Sequence, residues 1–356
     1  MRKLRKFLWR FNRPGCEPME LEITDTIRAV TEREWEKLAG TNPERSYRWF
    51  KTIEESGMRG MHYVLLKESG NLRAAACCYP MKERLHSIEM KFLEVRSPLG
   101  TSLTFFSETP QHASLLMKGL REIQKKEDLQ GILILDLRKE EFETVKKQVE
   151  GFMEFLIGDT TYIDLDFADF NDYLSSLSRK KRKSIRHTVN KAQKRFNLKP
   201  VFTNEISKWK KVAYRLQGYL CEEHNDYRRH LTEEFYDALE RNLKENAELL
   251  LFLKSDIPIF FVLSLNTPEI SLYKFLGSDP DYRDCQAYFL MYYEGIRKAI
   301  ERRQKRIYFG PTTYEFKEKI GCKREELFAL AKMENPALNL ALKSYSTISS
   351  FLGKKF

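Results

Sequence analysis

The same order of elements occurs twice along the chain, and this doubling constrains the fold more than any single motif. In the first half, Thr31 opens a helix with Glu34 three residues on as a capping box. A second helix after Pro43 carries Tyr47, Phe50 and Ile53 at helical spacing until Gly57 ends it. A hairpin follows, with strands over 62–67 and 72–80 around the turn Glu68-Ser69-Gly70-Asn71. A helix over 112–126 leads through Gly131 into the apolar run 132–137, typical of a strand buried on both faces. In the second half, helical regions cover 206–223 and 232–246, and strands cover 249–253 and 259–265 around a turn at 254–258. A third strand covers 270–277, and a helix over 287–302 leads to a short buried strand over 306–309. The two series lie about 190 residues apart. A meander followed by a β-α-β crossover predicts, in each half, a mixed sheet with helices on its faces, hence an α/β fold of two modules.

The 356 residues suffice for two such modules, and 24 Phe and 17 Tyr exclude a disordered chain. A net charge of +11 favours an acidic partner: nucleic acid, an anionic membrane face or a phosphorylated substrate. Cys16, Cys77, Cys78, Cys221, Cys285 and Cys322 form no CxxC and no zinc-finger spacing, so no metal is expected and free buried thiols in a reducing compartment are. The apolar part of the basic start is only Phe7-Leu8-Trp9, too short for a secretory signal, and the localisation expected is cytoplasmic. The most apolar stretch, 249–265, is interrupted by Lys254, Ser255, Asp256 and Pro258, so no transmembrane segment is expected. The boundaries expected are a basic leader over 1–20, a first module over 21–160, a second over 161–345 and a tail over 346–356.

The second module begins with the most biased segment, 169–196, read as a basic helix. Ile185, Val189, Ala192 and Phe196 form one apolar stripe. Arg179, Lys180, Lys181, Arg182, Lys183 and Arg186 lead the cations on its other faces. So many like charges repel until an anion or a carboxylate screens them. The residues admit a polyanion site or a solvated charge run.

The stretch 308–323, YFGPTTYEFKEKIGCK, carries the strongest chemical signal. A buried strand ends at Phe309, Gly310-Pro311 turns the chain, Thr312 or Thr313 caps a helix from about Tyr314, and Gly321 closes it. The helix N-terminus delivered there points N–H groups at an anion. Lys317 in the first turn opposes the helix dipole, which marks it either as a lysine with another task or as a solvated one.

This stretch resembles the C-terminal motif of FemAB-like, GNAT-type acyltransferases: a strand, a Gly-containing turn, a Phe-Lys pair and a Gly. The segment 34–57, EWEKLAGTNPERSYRWFKTIEESG, is similar to that family's N-terminal segment, and 173–186, YLSSLSRKKRKSIR, to its basic inter-module helix. The resemblance implies two GNAT-like modules and assigns Lys317 an oxyanion-stabilising role, with Phe316 packed beside it and Thr312, Thr313 and Tyr314 at the substrate. It also implies a tyrosine on the preceding central strand. Tyr273 in SLYKFLGSD matches that position, with Lys274 on the other face, and a core aromatic with a satisfied hydroxyl is the equal alternative.

Acetyl-CoA-dependent relatives cradle pyrophosphate on a Gly-rich loop between the central strand and the next helix. Here that loop, 278–286, has no glycine and three aspartates, and 104–112 in the first module also lacks glycine. The function expected is transfer of an aminoacyl or acyl group to an amine, forming an amide. No cofactor is tightly bound, and the donor is aminoacyl-tRNA or acyl-CoA. Partners implied are tRNA, an amine-bearing acceptor such as a cell-envelope precursor, and a peripheral membrane contact. The alternative is a non-catalytic protein that holds RNA or an anionic membrane through the basic helix.

Overall fold

The computed structural model describes residues 7–11, 19–85 and 88–340. Cys16, the loop 14–18 and the expected tail 346–356 lie outside the described residues. The chain forms two compact units, unit 1 from Met1–Asp159 with Glu326–Phe356, and unit 2 from Thr160–Glu325.

Unit 1 contains β1 (Phe7–Phe11), β2 (Met19–Thr24), α1 (Glu32–Ala39), α2 (Tyr47–Ser56), β3 (His62–Glu68), β4 (Asn71–Leu85), β5 (Ile88–Val95), β6 (Phe105–Phe106), α3 (Pro110–Lys126), β7 (Gly131–Leu137) and α4 (Lys139–Gln148). Strand β8 (Met153–Asp164) carries the chain into unit 2. There follow α5 (Phe170–Ser176), α6 (Arg179–Phe196), β9 (Leu198–Thr203), α7 (Ile206–His224), α8 (Glu233–Leu243), β10 (Ala247–Lys254), β11 (Ile257–Asn266), β12 (Ile270–Ser278), α9 (Ala287–Glu301), β13 (Arg306–Tyr308) and α10 (Tyr314–Lys319). Strand β14 (Lys323–Met333) returns the chain to unit 1.

The units share one topology. In unit 1, β2, β3, β4 and β5 pair antiparallel in turn, and β7 joins β5 in parallel after the crossover helix α3. In unit 2, β9, β10, β11 and β12 do the same, and β13 joins β12 in parallel after α9. Residues 132–137 and 306–309 therefore mark corresponding strands. Each sheet is finished by a strand from beyond the other unit's crossover: Phe328–Met333 of β14 pairs with β7, and Tyr162–Asp164 of β8 pairs with β13. The exchange explains why residues 326–340 fold with unit 1, whereas the sequence alone placed 161–345 in one module.

Local signals account for many boundaries. Thr31 and Glu34 form the capping box of α1, and Ser46 caps α2, which Gly57 ends in the left-handed region. Ser69-Gly70 and Ser255-Asp256, all at positive φ, form the two tight hairpin turns. Pro258, expected in the turn, lies inside β11 opposite Leu253, beside a register shift in β10 that tolerates the missing N–H. Residues 7–11, expected in a leader, pair with β2. The expected single basic helix over 169–196 is two helices, because Leu177 is extended and Ser178 caps α6 by accepting from the Lys181 N–H.

In unit 2, neighbouring residues on β11 face opposite ways. Phe260 joins a core with Ile185 and Ala192 of α6 and Ile296 of α9, while Phe261 meets Tyr236 of α8.

Candidate functional site

The site is built in unit 2 where its parallel strands part. Strands β12 and β13 pair over Ile270↔Arg306, Ser271↔Ile307 and Leu272↔Tyr308. Then β13 ends, while β12 continues to Ser278 against β11. A crevice outside the carboxyl ends of parallel strands is the usual ligand position in open α/β sheets.

The chain leaving β13 forms a strained turn. Gly310, Thr312 and Thr313 have φ of 68°, 76° and 52°. Left-handed backbone is costly for a β-branched residue and persists only where its surroundings enforce it. Several bonds do so here. Thr161 donates its N–H and hydroxyl to the Gly310 carbonyl, at 3.2 and 2.7 Å. The Thr313 hydroxyl lies 3.0 Å from the Tyr288 hydroxyl, which lies 3.0 Å from that of Tyr292. Lys317 Nζ donates to the carbonyls of Phe309, Gly310 and Pro311 at 2.8, 3.0 and 3.0 Å.

Lys317, expected either to have another task or to be solvated, is 1% exposed, and its ammonium points back into the turn. Burial lowers its pKa to about 8, with the nearby Cys322 thiol acting the other way, so at neutral pH the ammonium prevails. All three protons are committed to carbonyls of the turn. With only six residues in α10, Lys317 also falls in the last turn rather than the first. Thr313 stands at the N-cap without a side-chain cap bond, and a helix this short offers no anion site at its start.

Tyr273 is 8% exposed. Its ring fills the space beside Gly295, where a Cβ would come within 2.7 Å of it, and meets Phe309 at 5.5 Å. Burial pushes its hydroxyl far above the usual range. Lys274 lies half-buried with Nζ 5.3 Å from the Phe275 ring. Phe316 packs on Tyr292 and Phe289 at 5.1 and 4.8 Å, Thr312 is exposed, and Tyr314 stacks under Arg324 at 4.4 Å. The turn thus brings Lys317, Phe316, Thr313 and, through Phe309, Tyr273 together. Tyr288 and Tyr292 belong to the same cluster and were missed, although their four-residue spacing puts them on one face of α9.

The loop after β12 consumes its own donors. Asp279 N–H bonds to Ile259, Asp281 N–H to the Asp279 carboxylate, Tyr282 N–H to the Asp279 carbonyl and Gln286 N–H to Arg283.

On α6, Arg179, Lys180, Lys183 and Arg186 are exposed. Lys181 Nζ donates to the Glu318 carbonyl, and Arg182 caps α5 by donating to the carbonyls of Leu174, Ser175 and Leu177. Helix α6 contains no acidic residue, and among the described residues none of its cations pairs with a carboxylate.

The corresponding point in unit 1 is closed. Arg96 lies between Glu94 and Asp136, at 3.5 and 3.3 Å, and Tyr79 donates to Glu94 at 3.0 Å. Burial raises the pKa of Asp136, opposed by the Arg96 charge. The loop after β5 contains Gly100, which the expectation for 104–112 overlooked. A Cβ there would meet Glu44 Oε2 at 2.8 Å, and that carboxylate accepts from Thr101 N–H at 2.9 Å and the Ser102 hydroxyl at 2.8 Å.

Among the described residues no helix is long and apolar enough to cross a membrane. No curated protein sequence matches the chain. Among solved structures it is similar to FemX, with a TM-score of 0.62 and 14% identity over 88% of this chain and 98% of that one. It is also similar to a tandem GNAT protein from the clavulanic acid biosynthesis pathway, at TM-score 0.55 and 9% identity over 89% and 99% of the two chains. L-PGS from Bacillus licheniformis aligns with TM-score 0.54 and 11% identity over 88% and 95%. At these identities the likeness is one of fold, two GNAT-like modules in tandem. The FemAB-like family model, described as peptidoglycan biosynthesis/recognition, matches residues 98–350, and the chain belongs to that family.

Proposed function

We propose that the protein transfers an aminoacyl group from aminoacyl-tRNA to an amine, forming an amide, at the open strand ends of unit 2. One observation carries the choice of donor: in the loop over 278–286 the N–H groups of Asp279, Asp281, Tyr282 and Gln286 are spent on Ile259, Asp279 and Arg283, so it offers a pyrophosphate carboxylates instead of these donors. An acyl-CoA therefore lacks the usual cradle, whereas the ester of an aminoacyl-tRNA does not need one. Family membership supports an acceptor among amine-bearing cell-envelope precursors.

In this reaction the acceptor nitrogen attacks the ester carbonyl. The C–N bond forms, the C–O bond breaks, and the leaving ribose oxygen takes up the proton that the amine gives away. The tetrahedral oxyanion between these steps needs fixed donors. The Tyr288 and Thr313 hydroxyls stand at the turn to supply them, while Phe316, Thr312, Tyr314 and Lys274 border the donor. Lys317 is a positioning residue that holds the carbonyls of the turn in place; direct donation to an oxyanion would require it to release one of them. Tyr273 supports Phe309 from behind. The exposed cations of α6 hold RNA phosphates.

Mass spectrometry of the purified protein, with a transfer assay using labelled aminoacyl-tRNA, tests the proposal. Bound tRNA and label on the amine are expected. A bound CoA thioester without tRNA would overturn the donor and keep the transferase. A second reading, a non-catalytic RNA- or membrane-binding protein, is favoured by the unpaired charge of α6, and amide formation by the purified chain would overturn it.

A further inference from the structure

Helix α7 carries a second constellation, away from the strained turn. At Gly277, near the carboxyl end of β12, a Cβ would fall 2.5 Å from Gln217 N and Leu216 C, so only glycine lets α7 approach β12 this closely. The buried Gln217 then uses its whole amide to hold the following loop. Its Nε2 donates to the Arg229 carbonyl at 3.0 Å, and its Oε1 accepts from the Leu231 N–H at 3.0 Å. The clamp fixes His230, whose ring stacks on Tyr214 with centroids 4.3 Å apart and planes at 20°. His230 Nε2 donates to the Tyr214 carbonyl at 3.1 Å, which sets the tautomer. Tyr227 adds a third ring 6.1 Å from His230.

These rings remain accessible, with Tyr214 42% and Tyr227 52% exposed. Lys211 and Arg215, close to Tyr214 along α7, and Arg229, next to His230, are exposed, and among the described residues none lies within ion-pair distance of a carboxylate, although the Arg229 charge acts on Asp226. Of the nearby acids, Asp226 is bound by Arg228 and Glu223 by Arg283, while Glu222 and Glu234 are exposed. A rigid aromatic face edged by cations fits a ligand that is planar and anionic at once. A nucleotide has that chemistry: its base stacks on a ring and its phosphate meets guanidinium or ammonium. Because the rings are already stacked and tied to backbone, little side-chain freedom is lost on binding.

We propose that Tyr214, His230 and Tyr227 form a stacking platform for the unpaired end of an RNA strand. The inference rests on RNA being the donor's carrier, and places the single-stranded end of that RNA beside β12, apart from the phosphates held by α6.

The test is fluorescence anisotropy of the full chain with a short labelled single-stranded oligoribonucleotide and with a duplex of equal length. Tyr214→Ala should weaken single-strand binding by roughly five- to a hundredfold, the scale of losing one stacked base. Tyr214→Phe should bind within about twofold of the unchanged protein, because the ring and not the hydroxyl is used. Duplex binding should be the same in all three. If the unchanged protein binds single strands and Tyr214→Ala binds them equally well, the platform is refuted while an RNA donor stands. If the unchanged protein binds no RNA but takes an acyl group from a CoA thioester, both fall. Binding of anionic phospholipid vesicles that is lost in Tyr214→Ala, without RNA binding, would assign the face to a membrane and overturn the proposal.

Discussion

Two corresponding points, the parting of β5 from β7 in unit 1 and of β12 from β13 in unit 2, share a topology and differ in how their polar groups are satisfied. In unit 1 the Glu44 carboxylate occupies the loop N–H and hydroxyl groups, and Arg96 is enclosed by Glu94 and Asp136. An internal anion stands where a ligand's anion could bind. In unit 2 the internal charge is a cation, and Lys317 gathers backbone carbonyls behind a turn whose outer edge carries the Tyr288 and Thr313 hydroxyls. Duplicated modules thus diverge at one place: one closes its crevice on itself, and the other keeps its strained backbone braced from behind with its hydroxyl edge outward.

The largest effect is expected at Lys317. Lys317→Met leaves the Phe309 and Pro311 carbonyls without their donor and Gly310 with Thr161 alone, so denaturant unfolding should show a loss of about 4 kcal/mol, and transfer should fall about a hundredfold. An unchanged midpoint would break the comparison by removing the brace. Arg96→Met should cost about 3 kcal/mol, because Glu94 and Asp136 are left buried without their countercharge. Transfer per folded molecule should stay within about twofold, and a larger drop would bring unit 1 into the chemistry. Changing Arg179, Lys180, Lys183 and Arg186 together to Gln should flatten the salt dependence of RNA binding by about three to four counterions. The smallest effect is expected for Tyr273→Phe, within about 1 kcal/mol and with activity retained. A hundredfold loss there would return its hydroxyl to the reaction.

The repeat was legible because crossover helices and doubly buried strands leave dense local patterns, as in 287–302 and 132–137. The exchanged strands were not, because nothing in Met153–Asp164 or Lys323–Met333 reveals that each pairs far from its neighbours in sequence. The break at Leu177-Ser178 was hidden by the charge run around it. The turn at 310–313 was visible as Gly-Pro, but the left-handed Thr312 and Thr313 were not, since their conformation is enforced by distant partners such as Thr161 and Tyr288. The dipole conflict read for Lys317 does not hold, because α10 is short enough to put it in the last turn, and its direction was missed because local spacing says nothing of which carbonyls lie within reach.

The exchange of β8 and β14 sets a schedule for biosynthesis. A nascent chain exposes the edge of β7 as soon as residue 137 leaves the ribosome, yet that edge is paired only by residues 328–333. At roughly 5–20 residues per second, the intervening stretch takes about 10–40 s to synthesise. For that interval the apolar run Ile132, Leu133, Ile134 is an open template for any passing strand, and the first-made half of the protein must wait for the last-made.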